Sequence, residues 1–75
     1  MKDKLIAAIA DIISVPESLL ASTPEKYGLG NPNAWDSLTH LAVMTELENI
    51  SGREVSMDDM ENLDNLVKII EFLEQ

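Results

Sequence analysis

Asp36-Ser37-Leu38-Thr39-His40-Leu41-Ala42-Val43-Met44-Thr45-Glu46-Leu47-Glu48-Asn49-Ile50 carries one helical period, and its opening residues decide how the rest of the chain is read. Leu41, Met44, Leu47 and Ile50 recur at threes with Val43 beside them, which predicts a helix from Ser37 to Asn49 or Ile50 with those residues buried. Thr39, His40, Glu46 and Glu48 then face solvent or a partner. Asp36 is a good N-cap, because a carboxylate accepts the backbone N–H groups that the first turn leaves without partners. Ser37 falls at the first helical position with its hydroxyl exposed, and a phosphate ester there would lie at the positive end of the helix dipole. Gly52, able to take the left-handed conformation, closes the helix after Ser51.

Working outward, Leu5, Ile6, Ile9, Ile12 and Ile13 follow the three-and-four spacing of one helical face, and Ala7, Ala8 and Ala10 add propensity, so residues 3–14 form a first helix. Pro16 disfavours a helical Val15 and is suited to start a short turn through Leu20. Pro24, Gly28, Gly30 and Pro32 mark residues 21–35 as a long connection. Leu19, Leu20, Tyr27, Leu29 and Trp35 give it the apolar material to pack over the helices. Trp35 reads as a plug where the connection meets the second helix, with contact to a partner as the alternative. After an extended link at Arg53-Glu54-Val55, Ser56 and Asp59 form a capping box for a brief helix over 57–62. Asp64 is then placed as the cap of a last helix whose stripe is Leu66, Val67, Ile69, Ile70 and Leu73, with Phe72 beside it. The expected fold is all-α: one domain over 1–75, a small bundle of three long helices and one short one, with the long connection between the first and second.

Composition narrows the function. Seventy-five residues form one domain whose interior cavities are small, which argues against an enclosed active site. There is no cysteine and a single histidine, which excludes disulfides, thiolate metal sites and histidine-rich ones. No metal site is expected: Asp58, Asp59 and Glu61 lack the alternating ligands and central glycine of a calcium loop. The opening Lys2-Asp3-Lys4 and its apolar run imitate a secretory signal, but Asp11 interrupts the run and its period is helical, so a cytoplasmic location is expected. No apolar stretch approaches the roughly 18 residues of a membrane span. The net charge of −9 is uneven: residues 1–35 set four acids against three lysines, and residues 36–75 set ten against Arg53 and Lys68. Such a field repels nucleic acid and anionic membrane and draws in proteins with basic patches, although solubility alone explains the charge equally well.

The order of helix, long connection, Asp36-Ser37-Leu38, acidic second helix, short helix and last helix resembles the acyl carrier protein family over essentially the whole chain. The tripeptide is common by chance; its position at the start of the second helix is what carries the resemblance. It implies that Ser37 receives 4′-phosphopantetheine from coenzyme A through a separate Mg²⁺-dependent phosphopantetheinyl transferase, which contacts Asp36 and Leu38. The terminal thiol would then carry an acyl group as a thioester to acyl-loading and acyl-processing enzymes, for fatty-acid, polyketide or related biosynthesis. Thr39, His40, Thr45, Glu46, Glu48, Asp58, Asp59 and Glu61 are the residues expected to meet those partners, and a monomer is expected. Many relatives have glycine shortly before the serine and an acid five residues after it, where this chain has Ala34-Trp35 and Ala42. The Trp-Asp-Ser-Leu form looks more like freestanding carriers of specialised pathways.

Two alternatives stay open: an aminoacyl or peptidyl carrier, and an acidic helical interaction module with no prosthetic group. A serine hydrolase is disfavoured. His40 and Asp36 share a helix face with Ser37, but a single exposed helix offers neither an oriented base nor an oxyanion hole. The few aromatics and many Ala, Leu, Ile and Met residues are compatible with a bundle that opens slightly to shelter an acyl chain.

Overall fold

In the computed structural model, residues 2–31 and 33–75 are described; Pro32, part of the expected connection, lies outside them. All regular elements of the described chain are helices: α1 is Lys2–Ile13, α2 Glu17–Ser22, α3 Ser37–Ser51, α4 Met57–Asn62 and α5 Leu66–Glu74, with a 3-10 turn at Pro24–Lys26. The turn expected after Pro16 is thus a six-residue helix, and a 3-10 turn follows it within the connection between the first long helix and Ser37, so the helices number five where three long and one short were expected.

Helix α1 buries Leu5, Ile6, Ile9, Ala10 and Ile13 against α3, with α2 and α5 packed at its flanks. It ends on Ser14 at φ 58°, a left-handed residue that lets the Val15 N–H donate to the Ala10 carbonyl at 3.0 Å. This is the six-to-one bond of a Schellman ending, here with serine where glycine is the usual choice, and Pro16 follows it as a stop. Helix α5 buries Leu66, Ile69, Ile70 and Leu73 against the same core, with Phe72 half-buried. Its cap is Asn65, which accepts the Lys68 N–H at 2.9 Å; Asp64, the expected cap, lies one residue too early and instead pairs with the Lys68 ammonium at 3.3 Å.

What joins the connection to α5 is backbone. The Leu29 N–H donates to the Asp64 carbonyl at 2.8 Å and the Leu66 N–H to the Tyr27 carbonyl at 2.9 Å, so Gly28 is pressed against Asn65. A Cβ on Gly28 would stand 2.6 Å from the Asp64 oxygen and 2.8 Å from the Asn65 Cα, an approach only glycine permits. The Gly30 N–H then donates to the Trp35 carbonyl at 2.8 Å, turning the chain into α3. Trp35 is wholly buried, which selects the plug over the partner contact. At about 150–250 Å² and about 25 cal/mol per Å², its burial contributes roughly 4–6 kcal/mol.

Candidate functional site

Helix α3 begins as the sequence predicts. Asp36 is in extended conformation and its carboxylate accepts the Thr39 N–H at 2.9 Å, while its carbonyl accepts the His40 N–H at 2.8 Å. The Thr39 backbone bond is the main reason that the Asp36 carboxyl lies below the ordinary carboxylate range, and the Thr39 side chain adds to it. Ser37, the first helical residue, is exposed.

The buried stripe of α3 is His40, Val43, Met44 and Leu47, and it differs from the expected face at its first member and at its last, Ile50, which is half-buried against the core. His40 is 5 % exposed and Leu41 is 47 % exposed, the reverse of the expected placement. The reason is a polar relay. The Trp35 indole N–H donates to His40 Nδ1 at 2.9 Å, and His40 Nε2 lies 3.1 Å from the Met60 carbonyl. Indole nitrogen is only a donor, so Nδ1 must be the acceptor and Nε2 the protonated nitrogen that donates to Met60. With both ring nitrogens satisfied, the imidazole occupies a core position that a leucine would fill elsewhere. Both ring nitrogens are committed to these partners, so the imidazole is not placed to act as a base for Ser37.

Above this relay runs an open groove of about 410 Å³, lined by Leu29, Ser37, His40, Leu41, Met60 and Glu61. Leu29 and Leu41 are exposed, as is Leu38 at 78 %, so the start of α3 stands among exposed apolar side chains; Met57, 79 % exposed, opens α4. The remaining expected partner residues divide. Asp58 and Glu61 are exposed on α4, Glu46 is half-buried, and Thr45 is exposed with its hydroxyl donating to the Leu41 carbonyl at 2.9 Å. Two of the acids are engaged within the fold. Glu48 is half-buried and accepts the Val55 N–H at 3.2 Å, holding the link after α3. Asp59 closes the predicted capping box, accepting the Ser56 N–H at 3.3 Å while its own N–H donates to Ser56 Oγ at 3.0 Å. Thr39 is half-buried beside Asp36.

The two basic residues of the acidic half are also occupied. Lys68 pairs with Asp64, and the Arg53 guanidinium lies 4.2 Å from the centre of the Phe72 ring and donates to the Phe72 carbonyl. Arg53 therefore ties the end of α3 to the end of α5. The structural partners of His40, Gly28 and Arg53 were not apparent in the sequence, because each is a contact between distant segments.

Among the described residues no helix is long and apolar enough to cross a membrane. Comparison of the chain with protein-family models, with curated proteins and with solved structures finds no match.

Proposed function

We propose that this chain is an acyl carrier protein whose bundle presents Ser37 for 4′-phosphopantetheinylation and docks by charge and apolar contact to the enzymes that load and process its cargo. One observation carries the reading: an exposed serine at the first position of a carboxylate-capped helix, set among exposed apolar side chains on a small acidic helical domain. The residues present fit the group. Ser37 is accessible to an incoming enzyme, Asp36 fixes the turn that displays it, and Leu38 offers an exposed apolar contact beside it.

When bound, the group supplies a thiol on a flexible arm, and a tethered thioester is presented to each docked enzyme at raised local concentration. The chain's own part is to display and to be recognised. Asp58 and Glu61 on α4 and Glu46 on α3 offer acids to basic docking surfaces, and Leu38 and Met57 add exposed apolar side chains. Ser37 is a tether in this reading, and the chain itself is not a catalyst. Incubation with a broad-specificity phosphopantetheinyl transferase, Mg²⁺ and coenzyme A tests it: wild type gains one phosphopantetheine by intact mass and Ser37→Ala gains none. No gain, with an enzyme competent on another carrier, overturns the proposal.

A further inference from the structure

Two side-chain hydrogen bonds close over the turn that carries Ser37. The Asp36 carboxylate accepts the Thr39 N–H at 2.9 Å, and the Trp35 indole N–H donates to His40 Nδ1 at 2.9 Å. The first bond is exposed, so water competes for both of its partners. The second is buried, and breaking it leaves a donor and an acceptor with no replacement. It also reaches further, because it joins the residue before the cap to the end of the first helical turn and encloses Ser37 between them.

Both ends of this bridge are fixed to the body of the bundle. Trp35 is wholly buried and its carbonyl accepts the Gly30 N–H at 2.8 Å, while His40 Nε2 lies 3.1 Å from the Met60 carbonyl on α4. Ser37 is exposed, and it shares a helix face with His40, since both line the same groove. The ends of helices otherwise fray at little cost. With residues 35 and 40 joined to each other and anchored on two sides, the backbone between them has far fewer conformations than a free first turn. The bridge therefore limits where the Ser37 hydroxyl can stand.

That limit bears on the modification reaction. The Ser37 oxygen forms a bond to the phosphorus of coenzyme A that bears the pantetheine, and the bond from that phosphorus to the oxygen of the adenosine-side phosphate breaks. Adenosine bisphosphate leaves, and the serine proton passes to a base on the transferase. Such a displacement needs the attacking oxygen in a narrow range of positions, and a misplacement of about 1 Å can cost about a hundredfold in rate. We infer that Trp35 and His40 are positioning residues for the modification of Ser37, their buried hydrogen bond holding the turn from which the hydroxyl attacks. The inference rests on the carrier reading. It gives neither ring a part in the bond changes.

Two substitutions at His40 separate the halves of the relay. In His40→Asn the side-chain oxygen stands near the place of Nδ1 and accepts the Trp35 N–H, but nothing reaches Met60. In His40→Gln the longer amide donates to the Met60 carbonyl, and Trp35 loses its acceptor. Trp35→Phe removes the same bond from the other side. The full chain and these three variants are modified by a broad-specificity phosphopantetheinyl transferase in single-turnover reactions, at saturating coenzyme A and Mg²⁺ and rising transferase concentration, with the product followed by intact mass. The temperature is one at which circular dichroism shows each variant folded. The plateau rate reads the step after docking, and the half-saturating concentration reads docking and the folded fraction.

His40→Gln and Trp35→Phe should lower the plateau about tenfold with little change in half-saturation, and His40→Asn should restore most of it. A plateau for His40→Gln or Trp35→Phe within about twofold of wild type overturns the inference. So does an equal loss in His40→Asn and His40→Gln, or a change confined to half-saturation, which is what a merely less stable bundle would give. Absence of modification in wild type refutes the carrier reading and the inference with it, whereas modification of wild type at Ser37 with the wrong pattern among the variants refutes the inference alone.

Discussion

The Trp35 indole N–H donates to His40 Nδ1 across 2.9 Å, and both residues are buried. Their rings sit 6.1 Å apart at 35°, a tilted contact that accompanies the hydrogen bond. The bond fixes the imidazole tautomer and through Nε2 joins the start of α3 to the carbonyl of Met60 on α4.

Trp35→Phe retains an aromatic plug but leaves His40 Nδ1 buried without a donor. It should lower stability by about 1–3 kcal/mol in urea unfolding. In wild type, ¹⁵N NMR of the imidazole should show the proton on Nε2 at neutral pH. A proton on Nδ1 contradicts the relay as drawn.

Gly28→Ala places a methyl group 2.6 Å from the Asp64 oxygen, so the connection and the start of α5 must part. Loss of about 1–3 kcal/mol is expected, with faster amide exchange at Leu29 and Leu66, whose N–H groups form the bonds on either side. Unchanged exchange at those two amides would show that the approach is looser.

Ser14→Gly should act in the opposite sense. Ser14 holds φ 58° at the end of α1, a conformation that costs a side-chain-bearing residue about 1 kcal/mol relative to glycine. The substitution should stabilise the chain by up to about that amount, less the entropy that glycine adds to the unfolded state. Thermal unfolding reads the difference directly, and a lower midpoint for the variant contradicts the assignment.

The lowered pKa of Asp36 gives a pH dependence of known sign. Its carboxyl is more acidic folded than unfolded, so its contribution is complete above the unfolded value and disappears as pH falls through the folded one. Asp36→Asn keeps a side-chain oxygen for the Thr39 N–H but does not titrate. The stability difference between wild type and variant should therefore shrink as pH drops below the ordinary carboxylate range and be flat above it. A difference that is constant across the acid range would mean that the charge of Asp36 contributes nothing to the cap.

Much of this architecture is legible in residue spacing. The stripes of α1 and α5, the Ser56–Asp59 capping box, Gly52 at φ 71° after α3 and the Asp36 cap all depend on neighbours within one or two turns. His40 and Leu41 changed places because a helical stripe read by hydropathy passes over a histidine, and only Trp35 and Met60 brought close in space make that histidine a core residue. Asp64 and Asn65 are adjacent cap candidates of similar chemistry, and the strand-like contact with Gly28 selects the second. Glu48 reads as a surface acid until the chain after Gly52 turns back and brings the Val55 N–H to it. At the site, the exposed serine and its cap were legible, while the groove beside it required α4 and the connection to be in place.

Ser37 and Ser56 provide the most direct comparison for the central claim. Both lie at the start of a helix, but Ser56 Oγ is spent as the cap of α4, whereas Ser37 lies one residue inside its own cap. After incubation with a phosphopantetheinyl transferase, Mg²⁺ and coenzyme A, peptide mapping by mass spectrometry should find a single phosphopantetheine, on the peptide containing Ser37, and none on the peptide containing Ser56. An unmodified Ser37, or a modification that persists in Ser37→Ala, contradicts the account.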